Sequence, residues 1–164
     1  MCDPVKTLII GHSFVARADN YMIERGISNL NLPAPYHDVQ LCGKGGAKIR
    51  DVDCLYRRGP GIPGLVIIDI GTNDLNGVRN IEQLASDLIK SAQMILASGA
   101  KRVIILGVLS RATHGRHRAR PGFNDRVKSF NRALQHQMNG AQLPIHFWYH
   151  KGLSSRVEGF IQDG

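Results

Sequence analysis

The sequence predicts an α/β fold: a three-layer α/β/α sandwich on a five-stranded parallel sheet of strand order 2-1-3-4-5. Three observations lead there. Apolar, β-branched runs alternate with amphipathic segments in a βαβα pattern along the chain. Glycine-bearing turns directly follow the runs Leu8 to Ile10 and Leu65 to Ile70. The 164 residues match the length of one domain, residues 1–164, with enough interior for a full sheet covered on both faces by right-handed crossovers.

Each element follows from its own pattern. Val5 to Ile10 reads as a buried strand, and Gly11 turns the chain into a helix beginning near Ser13 and running toward Arg25. Pro33 and Pro35 make Asn29 to Tyr36 a loop, after which Asp38 to Leu41 forms a short second strand. Cys42 to Gly46 is a further turn, and Lys48 to Arg57 a short helix. The glycine and proline cluster from Gly59 to Gly64 is a linker before the Leu65 to Ile70 strand. From Ile81 to Ser98, apolar residues recur at helical spacing and Gly99 stops the helix. Arg102 to Leu109 is the fourth strand. Phe123, Val127, Phe130, Leu134 and Met138 mark one face of another helix, which Gly140 and Pro144 end before a last strand near Ile145 to Trp148.

Composition narrows the function classes. Apolar residues at 43% and charged residues at 21% are too balanced for disorder. No apolar stretch approaches the roughly 18 to 20 residues of a membrane helix, and no signal-peptide core opens the chain. An intracellular, cytoplasmic protein is the expectation, with no membrane partner. Cys2, Cys42 and Cys54 are odd in number and lack a C-x-x-C pair, so reduced thiols are expected rather than disulfides or a zinc site. The net charge of +8 is uneven: Arg111, Arg116, Arg118 and Arg120 share one short segment with His114 and His117 and no acid. Such a segment is a solvated basic loop or a contact for RNA or another polyanion. The two histidines sit among arginines that repel a cation, so no metal is expected.

Ligands of open parallel sheets bind outside the carboxyl ends of the strands, beside the point where strand order reverses. Gly11-His12-Ser13 and Gly71-Thr72-Asn73-Asp74 are delivered there. A serine and an asparagine at that edge suggest acyl transfer, with a hydroxyl nucleophile and an amide donor to the oxyanion. Alone, Ser13 is also an ordinary N-cap, Gly46 a turn glycine of positive φ, and Asn73 or Asp74 a cap of the following helix. Gly59 to Gly64 fits G-x-G-x-x-G, but it precedes a strand, and its prolines lack the N–H groups that cradle phosphate. Neither a P-loop nor a G-x-S-x-G elbow is present.

Leu8 to Ser13, Gly43 to Ala47 and Gly71 to Asp74, in this order, resemble the first three sequence blocks of the SGNH, or GDSL-like, hydrolases, whose sheet is flavodoxin-like. The resemblance implies a serine esterase acting without a cofactor on small O-acyl esters, acetyl esters among them. Ser13 is then the nucleophile that forms the acyl-enzyme. Its own N–H, the Gly46 N–H and the Asn73 amide form the oxyanion hole. Two departures stand out. The family carries D-x-x-H near its C-terminus; Asp163 matches the acid, and the histidine would fall two positions past Gly164. On that reading this chain is impaired or inactive, and the alternative is a non-catalytic module of the same fold that binds a polyanion. None of the seven histidines matches the family's position; one of His146 and His150, which follow or flank the last strand, is the substitute candidate. His12 stands where the family has aspartate. Domains of this kind also occur in retroelement-encoded proteins.

Overall fold

The computed structural model describes residues 3–59, 61–77, 80–111, 119–140 and 142–150. Among them, five strands form one parallel sheet of order β2-β1-β3-β4-β5, as expected: β1 (Val5–Gly11), β2 (His37–Gly43), β3 (Leu65–Asp69), β4 (Arg102–Leu106) and β5 (Ile145–Trp148). Four α-helices connect or follow them: α1 (Ser13–Arg25), α2 (Val52–Arg58), α3 (Ile81–Ala97) and α4 (Phe123–Met138).

The step from β1 to β2 runs one way along the sheet and every later step runs the other way. Right-handed crossovers therefore put α1 on one face and α2, α3 and α4 on the opposite face. The packing agrees, since α1 lies against β2 and β1, while α3 touches both α4 and α2. Alternate residues of the central strands divide accordingly. Ile10, Val66, Ile68, Val103 and Ile105 are fully buried against the helix layer built from Leu88, Phe123, Phe130 and Leu134. Burying each such side chain is worth roughly 1.5 to 3 kcal/mol, so this face carries most of the hydrophobic stabilisation.

Helix ends follow local chemistry. Asn80 caps α3 by accepting the Gln83 N–H at 2.9 Å. Gly26, left-handed at φ 63°, closes α1 with its N–H donating to carbonyls of the last turn. The 48–57 segment divides into a 3-10 turn, Ile49–Asp51, and the shorter helix α2. The fourth strand is also shorter than the apolar run predicts. It ends at Leu106: the Gly107 N–H still donates to the Trp148 carbonyl of β5 at 2.8 Å, but Val108 beyond it pairs with a side chain of α4.

That side chain is Asn131, a buried polar residue in an otherwise apolar layer. Its Oδ1 accepts the Val108 N–H and its Nδ2 donates to the Val108 carbonyl, both at 2.9 Å, so the amide stands in for a neighbouring strand. Asn131→Ala leaves both backbone groups of Val108 without their side-chain partner. A loss of about 2 kcal/mol or more is expected on unfolding in urea. A loss below about 0.5 kcal/mol would show that the amide does not hold this turn.

Candidate active site

Register brings the site together. Gly11, the last residue of β1, pairs with Gly43 on one side and Asp69 on the other, so β2, β1 and β3 end abreast at the reversal of strand order. The loops that leave these ends carry Ser13, Gly46 and Asn73. Ser13 and Asn73 line one cleft of about 390 Å³, together with His12, Arg17, Asp69 and Thr72. Leu109, Ser110, Arg111 and His150, which follow β4 and β5, complete its wall. An adjoining cavity of about 380 Å³ shares Val108 to Ser110 and His150 with it.

Ser13 is the first residue of α1 and does not cap it. The cap is His12, in extended geometry at φ −81°, ψ −155°, whose Nδ1 accepts the Phe14 N–H at 3.3 Å. An accepting Nδ1 leaves the proton on Nε2, which points to Asp69 Oδ2 at 3.6 Å. His12 Nδ1 is thus engaged by the backbone of its own turn, while Nε2 faces Asp69 beyond hydrogen-bond distance. Half-buried Ser13 has a hydroxyl without a hydrogen-bond partner among the described residues, and its N–H is among the open donors of the first helical turn.

Gly46 lies at the exposed tip of the loop after β2, at φ 70°, with open space where a Cβ would stand. It is not among the residues lining the cleft, but its loop is tied to the site from two sides. Lys44 N–H donates to the Gly11 carbonyl at 3.0 Å, and Asn73 Nδ2 donates to the Ala47 carbonyl at 3.0 Å. One amide hydrogen of Asn73 is occupied in this way, and the second remains for a ligand. Asp74 does not cap a following helix. Its carboxylate reaches across to the Ile49 N–H, at 3.2 and 3.3 Å, and fastens the far end of the same loop. Burial raises the Asp74 carboxyl above the ordinary range, and the Ile49 N–H only partly offsets that.

Arg111 belongs to the cleft, a placement that the sequence pattern did not reveal. Its backbone is pinned to Asn124 by two hydrogen bonds of 2.9 Å each. The guanidinium stacks 4.3 Å from the centroid of Phe123 and donates to Thr72 Oγ1 at 3.3 Å. Grouping it with the basic segment hid this role. Its only distinguishing sequence signal is its place just past the turn after β4. Arg17 was likewise missed, although its spacing of four from Ser13 puts both on one helix face. Arg120 is exposed, while Arg116, Arg118 and Asp163 lie outside the described residues. Of the two histidines near β5, His150 lines the cleft and exposed His146 does not.

Among the described residues, no group of acids, histidines and cysteines forms a metal cluster, and no helix is long and apolar enough to cross a membrane. Cys42 and Cys54 are free thiols; burial pushes that of Cys42 up, away from reactivity.

No protein-family model matches the chain, and no curated protein matches it. Solved structures do. A catalytic mutant of Axe2, an acetylxylan esterase from Geobacillus stearothermophilus, aligns with a TM-score of 0.64 and 14% identity, over 88% of this chain and 76% of that one. A GDSL-like lipase from Bacteroides thetaiotaomicron aligns with a TM-score of 0.60 and 18% identity, over 90% and 72%. The chain has the SGNH/GDSL hydrolase fold, and identities this low carry the likeness no further than fold.

The loop after β2 has a pH-dependent anchor. Asp51 accepts from Lys44 Nζ at 2.8 Å and from the Lys48 N–H at 2.9 Å, and these bonds, in that order, hold its carboxyl below the ordinary range. A folded-state value below the unfolded one stabilises the protein above the ordinary carboxylate range, and this contribution is lost as pH falls through the lowered value. Asp51→Asn should therefore flatten part of the acid limb of stability against pH, measured by thermal melting between neutral pH and about pH 3. An unchanged limb would remove Asp51 as an anchor.

Proposed function

We propose that the protein is a serine esterase that cleaves small O-acyl esters, acetyl esters included, through an acyl-enzyme on Ser13. The observation that carries this reading is the meeting of an unpartnered Ser13 hydroxyl and the Asn73 amide in one cleft at the reversal of strand order. Ser13 Oγ attacks the acyl carbon, and the carbonyl electrons move onto oxygen. The resulting oxyanion is received by the Ser13 N–H, the Gly46 N–H and the free hydrogen of Asn73 Nδ2. Collapse expels the alcohol, which takes the serine proton from the base, and water then releases the acid by the same route. Neutral serine is a poor nucleophile, so this cycle needs an imidazole.

A fluorophosphonate probe should label Ser13 and should not label Ser13→Ala. Asn73→Ala should slow labelling about 100- to 1,000-fold, the usual effect of losing one oxyanion donor. Absence of labelling counts against the whole reading.

His150 is the second imidazole that lines the cleft among the described residues, beside His12. In the chain ending at Gly164, His150→Asn should lower the labelling rate about 100-fold if His150 takes the serine proton. An unchanged rate assigns that proton transfer elsewhere.

A further inference from the structure

Among the described residues, two guanidinium groups and one carboxylate line the cleft, and the carboxylate, Asp69, already faces His12. Arg111 presents five N–H donors, of which Thr72 occupies one, and no carboxylate of the described residues lies within ion-pair distance of it. It is half-buried and held at its backbone by Asn124 and at its side chain by Phe123 and Thr72. A surface arginine sweeps many rotamers, whereas this fork is already ordered before any ligand arrives, which lowers the entropy cost of using it. Arg17 adds a second, exposed cation one helical turn beyond Ser13. The open N–H groups at the start of α1 give the same wall a positive end.

We propose that the cleft takes esters bearing an anionic group, a carboxylate or a phosphate, which Arg111 grips through its free N–H donors with Arg17 as the second cation. The proposal deepens the esterase reading and rests on it for the place of the ester bond. The anion docks against the fork beside Thr72, which sets the distance from Arg111 to the scissile carbonyl and so selects substrates by the spacing of charge and ester. Neutral esters of the same size fit the cleft but leave the guanidinium without a counter-ion.

Calorimetry on the Ser13→Ala chain, where turnover does not interfere, tests this with three phenyl acetates that differ only at the para position. They are 4-acetoxybenzoate, 4-acetoxyphenyl phosphate and the neutral methyl 4-acetoxybenzoate. At least one anion should bind about tenfold or more tightly than the neutral ester, a difference of about 1.4 kcal/mol. The stronger of the two anions identifies the group that is recognised. Arg111→Met should bring anion and neutral ester to similar affinities, Arg111→Lys should keep part of the preference, and added salt should shrink it. Should Arg111→Met fail to fold, Arg111→Lys and the exposed Arg17→Gln still decide the matter, each by a reduction of at least about threefold. Equal affinities for all three esters, or a preference untouched by these substitutions, overturns the proposal. Fluorophosphonate labelling of Ser13 without charge discrimination would remove the anion site alone. Discrimination without labelling would remove the role of Ser13 alone.

Discussion

The constraint on which the rest depends is the absence of side chains between the carboxyl ends of β1 and β2 and the first turn of α1. A Cβ at Gly43 would collide with the Ala16 backbone, and one at Gly11 with the Val15 side chain. With both positions bare, α1 settles directly on the strand ends, and Ser13 emerges level with the loop that β3 sends out. Neither glycine is needed for an unusual dihedral there; each is needed for room. Close approach also explains the cap. With the helix start pressed onto the sheet, the His12 imidazole lies between the Phe14 N–H, from which it accepts, and Asp69, which it faces.

From that approach a polar frame spreads across three loops. The Gly46 loop is fixed to β1 by Lys44, to the Asn73 turn by the Ala47 carbonyl, and to Asp74 through Ile49. Asn73 therefore serves two purposes, since the bond that fixes its own amide also fixes the loop that carries Gly46. The position of a donor matters more than its strength in such a site, because donors already aimed at developing charge need no reorganisation during reaction. Asp74 reaches the same end at greater electrostatic cost, its carboxyl being raised by burial.

The elements were legible where periodicity and punctuation agreed. α1, α4 and β5 begin and end as read, because Gly26 and the Gly140 to Pro144 segment bound them sharply. The apolar run through Leu109 exceeds β4 by three residues, because a sequence run cannot disclose that Asn131, on another helix, takes the hydrogen bonds of Val108. The strand order and the meeting of Ser13 with Asn73 followed from block order and topology. What stayed hidden were contacts set by tertiary structure alone: Asp74 with Ile49, His12 with Asp69, and Arg111 with Phe123 and Thr72. No local pattern encodes such pairs, for their partners stand between 12 and 57 residues apart.

Arg111 shows why charge counted along a sequence misleads about charge in a site. Along the chain it is one of four arginines in a basic segment, yet it differs physically from exposed Arg120. Burial, and then the nearby charge of Arg120, lower its pKa, so folding has moved a cation out of water and toward a like charge. The Phe123 face and the Thr72 hydroxyl recover only part of that hydration, since cation–π contacts and neutral acceptors are weaker than an ion pair. A residue solely responsible for solubility would turn outward and lose nothing. Holding it in the cleft, pinned at both ends by Asn124, Phe123 and Thr72, is a stability cost of the kind that proteins retain at sites where a ligand supplies the missing charge.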